Sequence, residues 1–412
     1  MRAYVEAYGC TLNFGEAREI EDLLAAKGWE ICDSNDGCDL TVLATCVVID
    51  TTERAMLKRI RELASSRRLI ITGCMATACR EKAERIAPSA LFVAPGDLKS
   101  FSALIGSQET LHDARGVHRE SYGIVPIATG CRGKCAYCIT RLARGDLKSR
   151  PVSKVVESVQ SLVKDGPREV QFTAQDSAAY GVDVGTDLPS LVESACQLPY
   201  DFRLRLGMMN PRSAMRLKGR LGQMFSHKKV FKFIHLPVQT ASDDLLQAMN
   251  RGYTMADFRS LVSEVRAKVP EITVSTDLIV GYPGETAAHH RTNLDLVSEI
   301  APDIVNVTRF SARPGTEAAA SGNQIVGWKA KDRSREITKL RFRVALQKNR
   351  KWVGRTVVAL ATERGKGRST ILRTDEYKQV VIPSVIPLGG FHSLRVVDAT
   401  STYLVGAIGG EQ

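Results

Sequence analysis

Apolar runs alternate with helical patterns over the first hundred residues. Short apolar runs bounded by turn residues indicate buried strands, and apolar residues that recur every three or four positions indicate helices. The predicted strands cover 3–8, 41–44 and 69–72, and the predicted helices cover 16–27, 53–65 and a segment from about 80. Alternating strands and helices imply parallel strands with crossover helices. The pattern therefore predicts a small parallel α/β domain over residues 1–108.

A similar alternation returns on a larger scale over residues 123–327, after a polar linker of mixed charge at 109–122. The predicted strands cover 123–128, 169–173, 203–207, 231–236, 273–280 and 304–310. The predicted helices cover 153–165, 187–197, 212–226, 242–249, 255–268 and 288–300. Such β/α units predict a full or partial (β/α)6 barrel, whose chemistry gathers at the C-terminal ends of its strands.

The last part of the chain changes from a basic helix to short strands. Residues 328–352 form a strongly basic helical pattern that connects the barrel to residues 353–412. Predicted strands there cover 356–362, 369–373, 379–382, 392–399 and 403–408. Several short strands separated by Gly, Asp and Pro turns predict a small all-β barrel of the OB type, an architecture that often binds nucleic acid.

Charge and composition restrict the class of partner. The 412 residues carry a formal net charge of +12, and 44% of them are hydrophobic. The surplus of positive charge favours an anionic partner, with nucleic acid first and a membrane surface second, although a thinly spread surplus can also serve solubility alone. No apolar run approaches the roughly 18 residues of a membrane span, and the N-terminus lacks an apolar signal core. We therefore expect a cytoplasmic protein without a membrane partner.

The strongest chemical signal is the segment Gly130-Cys-Arg-Gly-Lys-Cys-Ala-Tyr-Cys138. Cys131, Cys135 and Cys138 place three thiolates on one short loop, without a fourth Cys or His nearby to complete a tetrahedral zinc site. Three ligands on a [4Fe–4S] cluster leave one iron open to a substrate group such as S-adenosylmethionine (SAM). The alternatives are a zinc site with a remote fourth ligand, or three unrelated thiols.

A second group of cysteines follows the three strands of the first domain. Cys10, Cys46 and Cys74 each come directly after a predicted strand end. Because the carboxyl ends of parallel strands share one edge of a sheet, these distant thiols are expected to converge there. The alternative is that each is an ordinary buried thiol, which is the common fate of a lone cysteine and the one expected for Cys32, Cys38, Cys79 and Cys196.

Polar residues also follow the predicted barrel strands and describe a polar mouth around the cysteine loop. Any one of them can instead be a turn residue of the barrel rim. They are Gln175, Asp176, Asn210, Gln239, Thr240 and the segment Gly281-Tyr-Pro-Gly-Glu285.

Exposed cations of the helix and the tail are the candidate nucleic-acid contacts. A charge run usually means only a solvated face, but this one holds most of the net charge, so phosphate contact and solvation are equally plausible interpretations. The candidates are Lys329, Lys331, Arg335, Lys339, Arg343, Arg350, Arg364, Lys366 and Arg368.

With these features in place, the chain resembles the radical-SAM methylthiotransferases over essentially its full length. That family has an N-terminal domain with three cysteines for an auxiliary cluster, a central radical-SAM barrel and a C-terminal TRAM domain that binds RNA. Further matches are Gly9-Cys10-Thr-Leu-Asn13, His235-Leu-Pro-Val-Gln-Thr-Ala-Ser242, Met249-Asn-Arg-Gly-Tyr-Thr254, Asp277-Leu-Ile-Val-Gly-Tyr-Pro-Gly-Glu-Thr286 and Phe310-Ser-Ala-Arg-Pro-Gly-Thr316.

The resemblance implies two [4Fe–4S] clusters, one on Cys131, Cys135 and Cys138 and one on Cys10, Cys46 and Cys74. It implies SAM on the first cluster, with Tyr137 beside the adenine and with Asp176, Gln239 and Arg251 holding SAM or the substrate. Further implied cofactor contacts are Gln175, Gly281 and Glu285.

Smaller features, among them the Gln175-Asp176 pair and Gln239-Thr-Ala-Ser242, resemble the archaeal and eukaryotic branch of the family. That branch converts N6-threonylcarbamoyladenosine beside the tRNA anticodon to its 2-methylthio derivative. The implied partners are the tRNA anticodon stem-loop, an electron donor such as ferredoxin or flavodoxin, and an unidentified sulfur donor. The alternatives are an isopentenyladenosine tRNA, a ribosomal protein, or a non-catalytic RNA-binding protein with structural zinc.

Overall fold

The computed structural model describes residues 1–106 and 121–408. Its N-terminal part is a parallel sheet of order β2-β1-β3-β4-β5 with helices packed on it. The strands are β1 (Arg2–Ala7), β2 (Glu30–Cys32), β3 (Leu40–Thr45), β4 (Leu69–Gly73) and β5 (Leu91–Phe92). The helices are α1 (Thr11–Ala26), α2 (Asp50–Leu63), α3 (Met75–Ala78), α4 (Arg80–Glu84) and α5 (Leu98–Ile105).

The central strands of this sheet are covered on both faces, as their sequences require. Every residue of β3 and β4 is buried, which is typical of parallel strands between two helical layers. The predicted parallel α/β domain is thereby confirmed. The short edge strands β2 and β5 and the helix α5 were not predicted. Helix α1 begins at Thr11, five residues before the predicted start, so that Cys10 lies at its N-terminus.

The central part has parallel strands in chain order along an open half-barrel. Its sheets have the orders β10-β9-β6 and β11-β12-β13, and an isolated parallel bridge between Leu204 and Val230 connects them. The strands are β6 (Tyr122–Pro126), β7 (Ala128–Thr129), β8 (Lys148–Ser149), β9 (Glu169–Thr173), β10 (Arg203–Leu206), β11 (Phe233–His235), β12 (Thr273–Val280) and β13 (Ile304–Arg309). Of these, β7 and β8 form a separate antiparallel pair. The sequence predicted a full or partial (β/α)6 barrel, and the structure shows the partial one.

Helices cover the outer face of the half-barrel, and most match the predicted segments. They are α6 (Ile139–Arg144), α7 (Val152–Asp165), α8 (Leu188–Cys196), α9 (Pro211–Ala214), α10 (Leu221–Ser226), α11 (Asp243–Ala248), α12 (Met255–Lys268) and α13 (Ala287–Ile300). The single helix predicted over 212–226 is wrong: α9 and α10 are separate, with a 3-10 turn at Met215–Leu217. Gly219, with φ of +84°, interrupts the helix before α10 begins.

The basic helix and the C-terminal barrel follow the prediction closely. Helix α14 (Gly327–Arg350) leads into β14 (Thr356–Arg364), β15 (Thr370–Thr374), β16 (Gln379–Ile382), β17 (Phe391–Ala399) and β18 (Leu404–Ile408). These strands close into a barrel of order β14-β15-β16-β18-β17. All of the strands predicted there are confirmed.

The C-terminal barrel docks on the half-barrel through Tyr377. Its ring packs 4.8 Å from Phe231 and 5.1 Å from Phe233, and its hydroxyl donates to Glu169 at 2.8 Å. Glu169 begins β9 and Phe233 begins β11, so the contact lies at the N-terminal ends of the strands. The chemistry is expected at the opposite, C-terminal ends of these strands.

The predicted linker at 109–122 lies outside the described residues except for its last two, and the domain limits drawn around it stay predictions. Along residues 1–106 and 121–408, no helix has both the length and the apolar character needed to cross a membrane.

Candidate iron–sulfur and SAM site

The loop of Cys131, Cys135 and Cys138 is fixed by backbone contacts at both ends. Cys131 N donates to Gly145 O at 3.1 Å, and Ala136 N donates to Met249 O at 3.1 Å. Gly133 N donates to the Cys131 sulfur at 3.2 Å. The loop therefore has a defined conformation in the protein before any ligand is considered.

The electrostatics of this loop disfavour free thiolates. Burial, together with the Asp176 carboxylate, raises the pKa of the Cys131 thiol to about 12. Burial also raises the pKa of Cys138, and the neighbouring Cys135 adds to the rise. Thiolates become the ligands only when a nearby positive charge compensates them, which iron supplies. Arg251 is a second source, since its Nη1 lies 3.2 Å from the Cys135 sulfur.

The N-terminal cysteines are drawn together by Asn13 and Thr45. The Asn13 side-chain amide donates to Tyr8 O at 2.7 Å and to Thr45 O at 2.8 Å. Thr45 O also accepts from Cys74 N at 3.0 Å. Since Thr45 precedes Cys46 directly and Tyr8 lies two residues before Cys10, these bonds join the segments that carry all three thiols.

Close packing at Gly9 supports the same arrangement. Gly9 has φ of +105°, and a Cβ placed on it would lie 2.9 Å from the Cys46 sulfur. Burial raises the pKa of Cys46, and the neighbouring Cys10 thiol adds to the rise. Burial raises the pKa of Cys74 to about 12, with Arg144 opposing and Cys10 and Cys46 adding to the rise. Each of the three thiols is therefore an electrostatic neighbour of the others.

These two cysteine groups are not arranged for one small ion. Within the described part of the chain, no group of three or more His, Cys, Asp or Glu side chains is compact enough to hold a single metal ion. Ligands of one zinc ion all lie about 2.0–2.3 Å from it. The irons of a cubane cluster spread their thiolate ligands over a wider distance.

One cavity of about 310 Å³ is lined by Cys138 of the cysteine loop and reaches the segment that follows Cys46, although the thiols of Cys10, Cys46 and Cys74 do not line it. One side of it is formed by Tyr137 and Cys138, and another by Val48 and Ile49, which follow Cys46 closely. The floor carries a polar network, in which Asp277 Oδ1 is 2.9 Å from His235 Nε2 and accepts from Asn306 at 2.8 Å. The cavity thus combines apolar walls with hydrogen-bonding groups, as ligand pockets commonly do.

Two predicted SAM contacts, Arg251 and Asp176, lie beside the cysteine loop. Arg251 is 5% exposed and donates to Tyr137 OH at 3.3 Å and to Pro237 O at 2.9 Å. Asp176 is 2% exposed, and it accepts from Asn210 N at 2.9 Å and from Ser213 Oγ at 2.6 Å. Burial raises the pKa of Asp176 despite these bonds. Its contacts fix the loop after β10, so any contact with SAM remains a prediction.

Of the two predicted glutamines, Gln175 has an unpartnered side-chain oxygen and Gln239 lines the cavity. Gln175 Oε1 is buried without a hydrogen-bond partner among the described residues, as is Arg251 Nε. Gln239 lines the cavity in a strained conformation with φ of +73°, held by its bonds to Asp277 O and Ile279 N at 2.8 Å. Buried groups without partners beside the cysteine loop fit a polar cofactor.

Gly281 and Glu285 contact α14, and their predicted contact with the cofactor remains a prediction. Glu285 is 3% exposed, forms an ion pair of 2.6 Å with Arg333 of α14 and accepts from Gly281 N at 2.5 Å. A Cβ on Gly281 would lie 2.6 Å from Ala330. Neither residue lines the 310 Å³ cavity, and their observed contacts attach α14 to the half-barrel.

All predicted nucleic-acid contacts have exposed side chains. They are Lys329, Lys331, Arg335, Lys339, Arg343, Arg350, Arg364, Lys366 and Arg368. Other cations of α14 are used inside the fold: Arg333 pairs with Glu285, and Lys348 pairs with Asp303 at 2.6 Å. The helix therefore has one cationic face toward the protein and another toward solvent.

Asn13, Arg144 and Arg313 were not assigned a role from the sequence. Arg144 Nη2 donates to Asn13 Oδ1 at 2.5 Å, and Arg313 pairs with Glu53 of the N-terminal domain. Asn13 and Arg313 lie inside motifs that carried the family resemblance. Their position within those motifs could have marked them as candidate functional residues. Long-range partners such as Asn13 and Arg144 cannot be inferred from spacing.

Comparison with known proteins defines the class to which this arrangement belongs. Residues 2–94 match Uncharacterized protein family UPF0004, and residues 125–297 match the Radical SAM superfamily. The first match holds Cys10, Cys46 and Cys74, and the second holds Cys131, Cys135 and Cys138. Radical SAM proteins are enzymes that use an iron–sulfur cluster and SAM, and the cysteine loop described above fits such a cluster.

Relatives over the full chain narrow the class further. The probable threonylcarbamoyladenosine tRNA methylthiotransferase of Pyrococcus horikoshii is 36% identical, covering 99% of this chain and 99% of the relative. The threonylcarbamoyladenosine tRNA methylthiotransferase of Xenopus laevis is 30% identical, covering 93% of this chain and 72% of the relative. The chain belongs to the threonylcarbamoyladenosine tRNA methylthiotransferase family.

A solved structure supports the fold alone. The radical SAM methyltransferase TsrM of Kitasatospora setae, solved with cobalamin and a [4Fe–4S] cluster, has a TM-score of 0.56 with this chain. It is 14% identical, and the match covers 77% of each chain.

Proposed function

We propose that the protein converts N6-threonylcarbamoyladenosine at position 37 of tRNA, next to the anticodon, to its 2-methylthio derivative. The names of the full-length relatives support this substrate. The single observation that carries the reaction type is the 310 Å³ cavity, which is lined by Cys138 on one side and by Val48 and Ile49, just after Cys46, on another. Sulfur insertion needs a radical source and a sulfur carrier on either side of one substrate.

Two [4Fe–4S] clusters are part of the proposal. Cys131, Cys135 and Cys138 would hold the cluster that binds SAM, and Cys10, Cys46 and Cys74 would hold an auxiliary cluster for the sulfur. With SAM, the first cluster supplies an adenosyl radical that can take hydrogen from an unactivated C–H bond.

The residues around the cysteine loop would prepare it for that cofactor. Arg251 places its Nη1 3.2 Å from the Cys135 sulfur, where it would donate to an iron-bound thiolate. Its unpartnered Nε–H is available to donate to the carboxylate of SAM, and the unpartnered Gln175 Oε1 is available to accept from the amino group. Tyr137 and Gln239 line the cavity, where they would orient the cofactor and substrate.

The substrate would enter from the side of the cavity that is open to solvent. Val48 is 48% exposed beside the cavity and offers an apolar surface to a nucleobase. Exposed cations of α14 and of the loop between β14 and β15 would hold tRNA phosphates. A ferredoxin or flavodoxin would supply electrons in the cytoplasm, and the sulfur donor is not identified.

The test is anaerobic reconstitution with tRNA that carries threonylcarbamoyladenosine, followed by mass spectrometry of the nucleosides. Wild-type protein is expected to give the 2-methylthio product, and Cys131→Ala or Cys74→Ala to give none. Cys196→Ala is the matched control, because that thiol lies on α8 and belongs to neither group. Product from isopentenyladenosine tRNA or from a ribosomal protein alone would contradict the proposal, as would colourless protein containing zinc.

A further inference from the structure

Two arginines of the half-barrel reach into the N-terminal domain. Arg144 is the last residue of α6, and Arg313 lies in the loop after β13. Their side chains are 0% and 3% exposed. Both therefore lie fully inside the contact between the two domains.

Each arginine is paired with a buried glutamate of the other domain. Arg144 forms bonds of 2.6 and 2.8 Å with Glu16, in the bidentate geometry that makes arginine pairs strong. Arg313 pairs with Glu53, which is 4% exposed. A buried ion pair is often no more stabilising than apolar residues of the same volume. Stability alone therefore does not explain why arginine occupies these two positions.

One nitrogen of each arginine is left without a partner. Arg144 Nε and Arg313 Nε are buried and have no hydrogen-bond acceptor among residues 1–106 and 121–408. A buried donor without an acceptor is destabilising, so it calls for an explanation such as a ligand that binds there. Seven arginines of the described residues have such an Nε, and Arg144 and Arg313 are the two whose side chains pair with glutamates of the N-terminal domain.

Both guanidinium groups are neighbours of the N-terminal thiols. Arg144 bonds to Asn13, which joins the segments of Cys10 and Cys46, and it lowers the pKa of Cys74 against the effect of burial. Arg313 pairs with Glu53 of α2, the helix that begins four residues after Cys46, and Asp50 N at the start of that helix donates to Ser311 Oγ at 3.1 Å. The unpartnered N–H groups thus belong to cations beside the proposed auxiliary site.

We propose that Arg144 and Arg313 are positioning residues that donate their Nε–H groups to sulfur atoms of an auxiliary iron–sulfur cluster on Cys10, Cys46 and Cys74 and raise its reduction potential. The inference rests on the proposed function, which supplies that cluster. Hydrogen bonds to sulfur and nearby positive charge stabilise the more negative, reduced form of a cluster. Since both arginines belong to the half-barrel, the auxiliary site is complete only when the two domains are docked.

The potential of the auxiliary cluster tests this inference. Arg144→Lys and Arg313→Lys keep a positive charge beside each glutamate but remove the Nε–H of the planar guanidinium. They would be made in protein that carries Cys131→Ala, Cys135→Ala and Cys138→Ala, so that only the auxiliary cluster remains. A redox titration followed by electron paramagnetic resonance is expected to show at least a tenfold shift against reduction, about 59 mV for one electron.

Arg150→Lys is the matched control. Arg150 also joins the half-barrel to α1 through a glutamate, Glu19, but the charges that act on it include no cysteine. Its substitution is expected to leave the potential unchanged. An unchanged potential in both Arg144→Lys and Arg313→Lys, with the cluster present, would overturn the inference.

Loss of the cluster from a lysine variant is also decisive. If the cluster is lost while thermal unfolding of the iron-free protein matches wild type, the loss supports direct contact with the cluster. If the iron-free protein is destabilised as much as in Glu16→Gln, the arginine acts through the fold alone and the inference is wrong. Absence of any auxiliary cluster from wild-type protein would instead contradict the proposed function.

Discussion

The side-chain amide of Asn13 lies 2.8 Å from the carbonyl oxygen of Thr45, although the two residues belong to different β/α units. Thr45 O accepts a second bond from Cys74 N, and Thr45 Oγ1 accepts from Met75 N at 3.2 Å. A single buried amide and one threonine therefore connect three cysteine segments that lie far apart in sequence. The convergence of the three thiols depends on this contact.

Replacement of Asn13 by Ala is expected to release the auxiliary site while the SAM site stays intact. The change removes one hydrogen bond from Tyr8 O and one from Thr45 O. A buried carbonyl group that is left unpaired costs about 1–3 kcal/mol of folding free energy. Iron and sulfide analysis after anaerobic reconstitution should show the loss of one cluster. Asn35→Ala is the control, since that amide bonds to Ser66 at the opposite end of the sheet. Full iron content in Asn13→Ala would contradict the prediction.

Gly130 sets the conformation of the other cysteine loop, and Gly130→Ala is expected to prevent its formation. Gly130 has φ of +74°, and an added Cβ would lie 1.9 Å from Asp146 O, which is backbone and cannot move aside. The variant should lose iron from the SAM site and lose SAM binding in equilibrium dialysis.

Gly145→Ala separates steric from conformational effects at this loop. Gly145 has φ of +67° and ψ of −153°, a backbone region almost restricted to glycine, but open space around its Cα, so alanine there meets backbone strain of about 1–3 kcal/mol without a clash. It should retain most of its iron. Equal losses in Gly130→Ala and Gly145→Ala would show that the clash with Asp146 is not the cause.

Local pattern predicted the elements and both cysteine groups, because burial and turn chemistry act over short distances. The strands that end before Cys46 and Cys74 are continuous apolar runs, and parallel pairing alone brings their ends to one edge. The break in the helix over 212–226 was missed because Gly219 interrupts a pattern that otherwise keeps its period. Gly219 could have been recognised as a breaker, since glycine is weak in helices.

The partners of individual side chains could not be predicted. Glu285 lies in a motif that suggested a cofactor contact, but its carboxylate pairs with Arg333, which is 48 residues away. The choice between cofactor and ion pair depends on where α14 packs, and tertiary packing leaves no local signal. For the same reason, Arg144 was not recognised as a neighbour of the N-terminal thiols.

Asp303 connects three parts of the molecule, and Asp303→Asn is expected to destabilise it at neutral pH. Asp303 accepts from Lys348 of α14, from Lys378 of the C-terminal barrel and from Val274 N of β12 at 2.6, 2.6 and 2.9 Å. Removal of the charge leaves the buried Lys378 and the half-buried Lys348 without an anionic partner. We expect this to lower the free energy of unfolding by about 3 kcal/mol. Urea midpoints should fall accordingly. Asp201→Asn, at an exposed pair with Arg168, should change them little.

The effect of Asp303→Asn should also depend on pH. Burial raises the pKa of Asp303, but Lys378 and Lys348 together lower it below the ordinary value of 3.8. A lowered pKa means that the stabilisation is present above pH 3.8 and is lost as the pH falls through the folded-state pKa. Urea midpoints of wild type and variant should therefore converge below pH 3.8 and differ most near pH 7. A constant difference across this range would mean that the charge of Asp303 is not the stabilising feature.

Exposed cations of α14 are expected to make tRNA binding steeply dependent on salt. Lys339 and Arg343 are exposed and lie four residues apart, so they share one face of the helix. Each phosphate contact contributes about 0.7–0.9 to the slope of log affinity against log salt concentration. The double variant Lys339→Gln, Arg343→Gln should therefore weaken binding at low salt and reduce the slope by about 1.4–1.8. Lys58→Gln, which removes a cation that is 76% exposed on α2 of the N-terminal domain, should leave the slope unchanged. If the α14 double variant binds with the same slope as wild type and Lys58→Gln, Lys339 and Arg343 are merely solvent-exposed and do not contact phosphates. The tRNA would then be held by the C-terminal barrel.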